Sequence, residues 1–238
     1  MKIGLLIFVA LLGLGTLFCG YPAGSSATAT KSALSSVLQQ QIRTKTGMVQ
    51  GQVLTSAGMP SLRLKFDKAF KYAGTQSFVL YEVANAEQHF FVDADKAGRI
   101  KRMYWIQFEG YLPSNNHTYK YPVTKTVKLA GLDFIADAYA RNVKANPGRP
   151  DSDGSRARAF LESKGHRMAN DEVIFQRLVH LVDESRRAEI MIIYLENLSA
   201  MGLTAADVAE GGKAFAQWNQ ISKGLLERAL KNMEVSRP

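Results

Sequence analysis

Four closely spaced stretches constrain the fold of this chain more than anything else in it. "SLRLKF" (Ser61–Phe66), "QSFVLYEVA" (Gln76–Ala84), "QHFFVDA" (Gln88–Ala94) and "RIKRMYWIQFE" (Arg99–Glu109) are rich in aromatic and β-branched residues, and turn-forming residues separate them. Connections this short join antiparallel neighbours, because a parallel return needs a crossover of roughly a dozen residues or more. The segment therefore reads as a meander. The turn "DADKAGR" ends on Gly98, which takes positive φ without steric cost. It imitates the start of a calcium loop, but Tyr104 stands where such a loop needs its closing glutamate.

Beyond the meander the pattern mixes periods. "YKYPVTKTVKL" (Tyr119–Leu129) is extended sequence, and "LDFIADAYARNVKA" (Leu132–Ala145) predicts a helix ended by Asn146-Pro147-Gly148. "SRARAFLESKG" (Ser155–Gly165) predicts a second helix that stops at Gly165. "EVIFQRLVHLV" (Glu172–Val182) and "AEIMIIYLEN" (Ala188–Asn197) read as strands, the second apolar on both faces as a central strand is. Thr204 caps a short helical turn, and "GKAFAQWNQISKGLLERALKNM" (212–233) predicts a long amphipathic helix whose stripe is Phe215, Trp218, Ile221, Leu225 and Ala229. Upstream, Leu34, Val37, Leu38 and Ile42 have the spacing of a short helix. The expected architecture is α+β: a curved antiparallel sheet with helices packed on one side, forming a single domain after an N-terminal export signal.

That signal is "MKIGLLIFVALLGLGTLF", where Lys2 precedes an apolar run from Ile3 to Phe18. Small residues ending at Ala27 or Ala29 predict cleavage after one of them, which divides the chain into a signal (1–29), a leader with a short helix (30–58) and the α+β domain (59–238). Spanning a bilayer takes ~20 apolar residues, more than Ile3–Phe18 offers. Cys19 lies where a bacterial lipoprotein is acylated, but Phe18 before it is too large for the lipoprotein peptidase, so acylation is the minority reading. The expected location is the periplasm or the extracellular space. Cys19 is also the only cysteine, so the mature chain has no thiol for a disulfide, a nucleophile or a zinc site.

The formal charge is +9, from 30 Lys and Arg against 21 Asp and Glu. Such a surplus favours weak contact with anionic envelope surfaces. The cations are dispersed, and the local runs "RIKR" and Arg186-Arg187 are too short for a nucleic-acid arm, so no specific nucleic-acid binding is expected.

Catalytic motifs are missing: there is no G-x-S-x-G, no P-loop and no dinucleotide fingerprint. The four histidines, His89, His117, His166 and His180, lack metal-ligand spacing, so neither a metal nor a cofactor is expected. The candidate binding residues come from the strands. Counting by twos along Arg99–Glu109 places Arg102 with Tyr104, Ile106 and Phe108 on one face, and a buried cation there needs a carboxylate. Glu82 and Glu196, near Tyr81 and Tyr194, are the expected partners. His89 and His180 read as core histidines or as general bases, and His117 stands with Tyr111, Tyr119 and Tyr121 in a loop at the end of the sheet. Glu82, His89, Arg102, Tyr104, His117, His180, Tyr194 and Glu196 are thus the ligand-binding candidates. The leading expectation is a non-enzymatic exported domain that binds a small amphiphilic or apolar ligand. The alternatives are a histidine–carboxylate hydrolase or isomerase and an envelope protein-interaction module.

Overall fold

A computed structural model describes residues 46–58, 60–123 and 125–238. The export signal and the short helix at 34–42 lie outside the described residues. Two antiparallel sheets carry the fold. The smaller is built from β1 (Gly47–Gln50), β2 (Val53–Ser56), β3 (Leu62–Phe66) and a C-terminal β12 (Met233–Ser236), in the order β1-β2-β3-β12.

The larger sheet contains β4 (Lys71–Leu80), β5 (Ala84–Ala94), β6 (Arg99–Tyr111), β7 (Thr126–Leu129), β8 (Leu132–Asn142), β10 (Glu172–Leu181) and β11 (Ala188–Asn197). Its order is β4-β5-β6-β11-β10-β8-β7, with a two-residue β9 (Arg167–Met168) parallel to the start of β6. Of the meander expected from residues 61–109, β4, β5 and β6 pair in succession, whereas β3 leaves it and pairs with β2 and β12 in the smaller sheet. The domain also takes in β1 and β2, ahead of residue 59, so the leader segment contributes a hairpin to the smaller sheet.

Alternation divides the larger sheet into two apolar faces, each with its own core. On one face Phe91, Tyr104, Ile106, Ile174, Leu178, Ile192 and Tyr194 pack against Leu54, Leu62, Leu64 and Phe66 of the smaller sheet. The C-terminal helix α3 (Trp218–Lys231) adds Leu225, Leu226 and Ala229 to that core. On the other face Phe90, Trp105, Phe175, Met191, Ile193 and Leu195 pack with Ala157 and Leu161 of α1 (Asp153–Ser163). The α+β class holds, and the helices divide between the two faces instead of gathering on one. The reason lies in β10 and β11, which are apolar on both faces and need cover on both.

Residues 132–145 are the clearest correction. Leu132–Asn142 form strand β8, not a helix, paired to β10 on one side and β7 on the other, and a turn follows at 143–145. Phe134 and Ala136 alternate inward, and nine-tenths or more of each is buried. Alanine favours a helix locally, but two ladders and a buried face outweigh a propensity of a few tenths of a kcal/mol per residue.

The last predicted helix is also shorter than its pattern. A 3-10 turn holds Phe215–Gln217, α3 runs from Trp218 to Lys231, and β12 follows at once. Phe215 leaves the stripe and is 48 % exposed. The short helix α2 (Ala205–Val208) has the expected cap, because Thr204 and Asp207 satisfy each other's backbone N–H groups. Ser152 caps α1 by accepting from the Ser155 N–H.

Candidate functional site

The sequence-predicted residues fall into three separate places. Arg102 lies on the face covered by the smaller sheet and α3, flanked on the ladders by Asp93 of β5 and Glu196 of β11. Its Nε donates to Asp93 Oδ2 at 2.6 Å, so Asp93, not Glu82 or Glu196, is its hydrogen-bonded carboxylate. The hydrogen bond to Asp93 helps to keep this guanidinium charged against the cost of its burial.

Glu196 binds Arg228 of α3 through both oxygens, at 2.9 and 3.0 Å, and accepts from the Tyr194 hydroxyl at 2.5 Å. Tyr104 pairs with Tyr194 across the ladder and donates to the Ala229 carbonyl at 2.5 Å. These groups satisfy one another and tie α3 to the sheet. They are a structural network. Glu82 takes no part, since it sits at positive φ in the tight turn between β4 and β5.

His89 is the second place. It is 1 % exposed and lies between the two sheets. Its Nε2 stands 2.7 Å from Glu87 Oε1, and its Nδ1 stands 3.3 Å from the Tyr72 hydroxyl. Glu87 also accepts from the backbone N–H groups of Thr46 and Gly47, at 2.7 and 2.9 Å. Burial pushes the Glu87 carboxyl up, but the hydrogen bonds from His89, Thr46 and Gly47 outweigh it and hold the group below its ordinary range. This cluster fastens the start of β1 to the larger sheet. His180 lies on the same face of the sheet near its edge, bonded through Nδ1 to the Asp133 carbonyl at 2.9 Å.

The third place is on the α1 face, and it gathers groups the strand patterns did not single out. Glu109 of β6 and Glu189 of β11 are direct partners across the ladder. Gln107, fully buried on the same face, donates to Glu109 Oε2 at 2.6 Å and accepts from Gln88 at 2.7 Å. The loop after β6 lies over the pair. Tyr119 donates to Glu109 Oε1 and Tyr121 to Glu189 Oε1, each at 2.8 Å. Arg186 and Arg187 hold that loop through the carbonyls of Tyr119, His117 and Leu112. His117 itself contributes only its backbone and a ring beside Tyr111, 5.6 Å between centroids.

The electrostatics of this third place are unusual. Burial, assisted by the neighbouring carboxyl, pushes Glu189 up to about 8 and, with Asp153, pushes Glu109 up to about 7. Asp153, in the first turn of α1, is raised by burial as well. The Tyr119 and Tyr121 hydroxyls are raised by burial and by the carboxyls they bond. The nearby guanidinium of Arg177 is committed to Asp137, at 2.5 and 3.0 Å, and lies over the Tyr121 ring at 5.3 Å.

Glu189 is 2 % exposed, yet its Oε2 has no hydrogen-bond partner among the described residues. A buried polar oxygen without a partner costs about 1–3 kcal/mol, more if it is charged. Among the described residues no three His, Cys, Asp or Glu side chains converge in a metal-binding arrangement.

The aromatic-rich segment from Arg102 to Pro122 therefore supplies both the core and the polar cluster. Tyr104 and Phe108 fill one core and Trp105 the other, while Glu109, Tyr119 and Tyr121 build the polar cluster. Period-two counting finds the two faces but cannot say which strand lies beside β6, so Glu189 escapes it. The signal in the sequence is a pair of carboxylates, Glu109 following the uncharged Met103, Trp105 and Gln107 on its face of β6 and Glu189 standing on the otherwise uncharged face of β11. Compared with family models, curated proteins and solved structures, this chain matches none.

Proposed function

We propose that this chain is an exported domain that binds a small amphiphilic ligand on the α1 face of the larger sheet. In this reading the polar group of the ligand meets Glu109 and Glu189, and its apolar part lies along Leu181, Met191 and Ile193 on the same face. The observation that carries it is the unpartnered Oε2 of the buried Glu189, beside a second carboxyl and beneath two tyrosines. Perturbed carboxyls of this kind cluster at functional sites. Export rests on the apolar run behind Lys2, and the charge of +9 supports weak contact with anionic envelope surfaces.

Two other readings have less behind them. An acid–base enzyme built on His89 or His180 would need an accessible imidazole beside a carboxylate, whereas His89 is held on both nitrogens inside the protein and the half-buried His180 bonds a backbone carbonyl. An envelope interaction module would need a continuous apolar patch. The large exposed apolar side chains, Met48, Tyr81, Val123, Tyr139, Met201 and Phe215, come from separate segments.

Native mass spectrometry of the protein purified from its own host tests the leading reading. The expected result is a native mass above the denatured mass by a small-molecule increment, with the denatured mass showing cleavage after Ala27 or Ala29. Equal masses, together with no saturable binding to a panel of fluorescent lipids and aromatic probes, would end the binding reading. A denatured mass matching all 238 residues would end the export reading.

A further inference from the structure

We propose that the ligand carries a cation, a primary ammonium or a guanidinium on an apolar body, and that Glu109 and Glu189 are its counter-charge. This rests on the ligand-binding reading and names the chemistry of the polar end.

The first support is the hydrogen-bond inventory of the pair. Glu109 has both oxygens satisfied, by Tyr119 and Gln107, whereas Glu189 has one oxygen on Tyr121 and one buried and unpartnered. Among the described residues, every group that reaches the pair is a neutral donor. Once a cation draws the proton off Glu189 the carboxylate is acceptor-only, and its open valence then takes an N–H of the ligand. A charged donor makes the stronger bond.

The second support is the charge balance. Glu109, Glu189 and Asp153 bring three carboxyl groups to this end of the α1 face, and none of the three has an ion-pair partner among the described residues. Arg177 is spent on Asp137, and Arg187, beyond Tyr111, is spent on the carbonyls of His117 and Leu112. A chain with formal charge +9 thus keeps an acidic cluster under cover without pairing it. An anionic ligand would add to that repulsion, and a cation would relieve it.

The third support is what surrounds the carboxyls. The Tyr119 ring stacks on Tyr111 with centroids 4.4 Å apart, and Tyr121 lies beneath Arg177. Aromatic faces tolerate and attract cations. Since the described residues offer no convergent metal-binding set, an organic cation fits the cluster better than a metal ion does.

Isothermal titration with n-octylamine, n-octanol and octanoate at pH 7.5 tests the proposal, because the three probes share one tail. Octylamine is expected to bind saturably and about tenfold or more tighter than octanol, the ratio that one charge-assisted hydrogen bond supplies. E189Q and E109Q should each erase most of that preference. Both variants replace a poorly solvated carboxyl with an isosteric amide, and circular dichroism would show that they fold. Equal affinity for amine and alcohol, unchanged in E189Q, would overturn the counter-charge while leaving an apolar site. Octanoate binding tightest would also overturn it. Failure of all three probes, with no ligand in the native mass, would remove the binding reading itself.

Discussion

Glu109 and Glu189 face each other across the β6–β11 ladder, and no cation among the described residues is paired with either. Both carboxyls have folded pKa values, about 7 and about 8, above their ordinary 4.5. A carboxyl raised in this way binds more protons folded than unfolded. The stability it contributes is fully present below about pH 4.5 and is lost as pH rises toward 8.

E189Q keeps the shape and cannot ionise, so it should gain stability relative to the parent as pH rises. The expected relative gain is on the order of 2–3 kcal/mol between pH 5 and pH 9, discounted for the coupling between the two groups. Urea denaturation at both pH values measures it. Parallel pH curves for parent and variant would show that the pair is ionised throughout.

The Glu87 cluster predicts the opposite dependence. Its carboxyl is held low by His89, Thr46 and Gly47, so the stability it contributes is present above the unfolded value of 4.5 and is lost as pH falls through the folded one. Glu87→Ala takes the acceptor away from a buried ring and from two backbone N–H groups at the start of β1. The cost should be about 3 kcal/mol at pH 7, the range for breaking a buried pair, and should shrink below pH 4. Chemical denaturation at pH 7 and pH 3.5 gives both numbers.

The strands that were legible in the sequence are those whose residues leave no choice. Phe90, Phe91 and Val92, or Ile190 to Ile193, are too apolar and β-branched for an exposed segment, and turn residues bound them closely. The β8 segment reads as a helix because "IADAYAR" is built from helix formers, and only its two partner strands make it extended. The β12 strand was missed because four residues behind a helix carry too little pattern.

The same limit hides the carboxyl cluster. Tyr119 and Tyr121 could be placed at the sheet's end from their loop, but which carboxyls they meet depends on β11 lying beside β6. Arg102 shows the point on a smaller scale. Its partner Asp93 sits across a hairpin with a register shift at Asp93/Ala94, so counting along one strand could not reach it.

Glu82 has a role in the turn, and it is an uncomfortable one. Tyr81 and Glu82 both have positive φ, 49° and 60°, where residues with a Cβ are disfavoured. Tyr81 is compensated by Arg149 over its ring at 4.4 Å, whereas Glu82 is exposed and gains no such contact. Glu82→Gly should therefore stabilise the protein by about 0.5–1 kcal/mol, the relief of strain exceeding the added freedom of the unfolded chain. Thermal melts of the two proteins test this. Amine affinity in the variant should match the parent, because Glu82 lies outside the carboxyl cluster.

Gly98 predicts the reverse. It has φ +73° at the end of the β5–β6 turn, so any side chain is strained there. The surroundings make matters worse, because an added Cβ would stand 2.1 Å from the Gly165 carbonyl oxygen. That oxygen belongs to backbone just past the C-terminal cap of α1, and the Gly98 carbonyl accepts from the Arg167 N–H at 3.1 Å as β9 begins. Nothing at this crossing is a flexible side-chain tip that could swing away. Gly98→Ala must therefore push the β5–β6 turn and the α1–β9 connection apart, at about 2–3 kcal/mol. Because that connection anchors α1, and α1 carries Asp153 onto the carboxyl cluster, the variant should also bind octylamine more weakly than the parent. Hydrogen exchange should localise the change to β9 and the end of α1. Exchange unaltered there, with stability within about 0.5 kcal/mol of the parent, would mean that the two segments separate without cost.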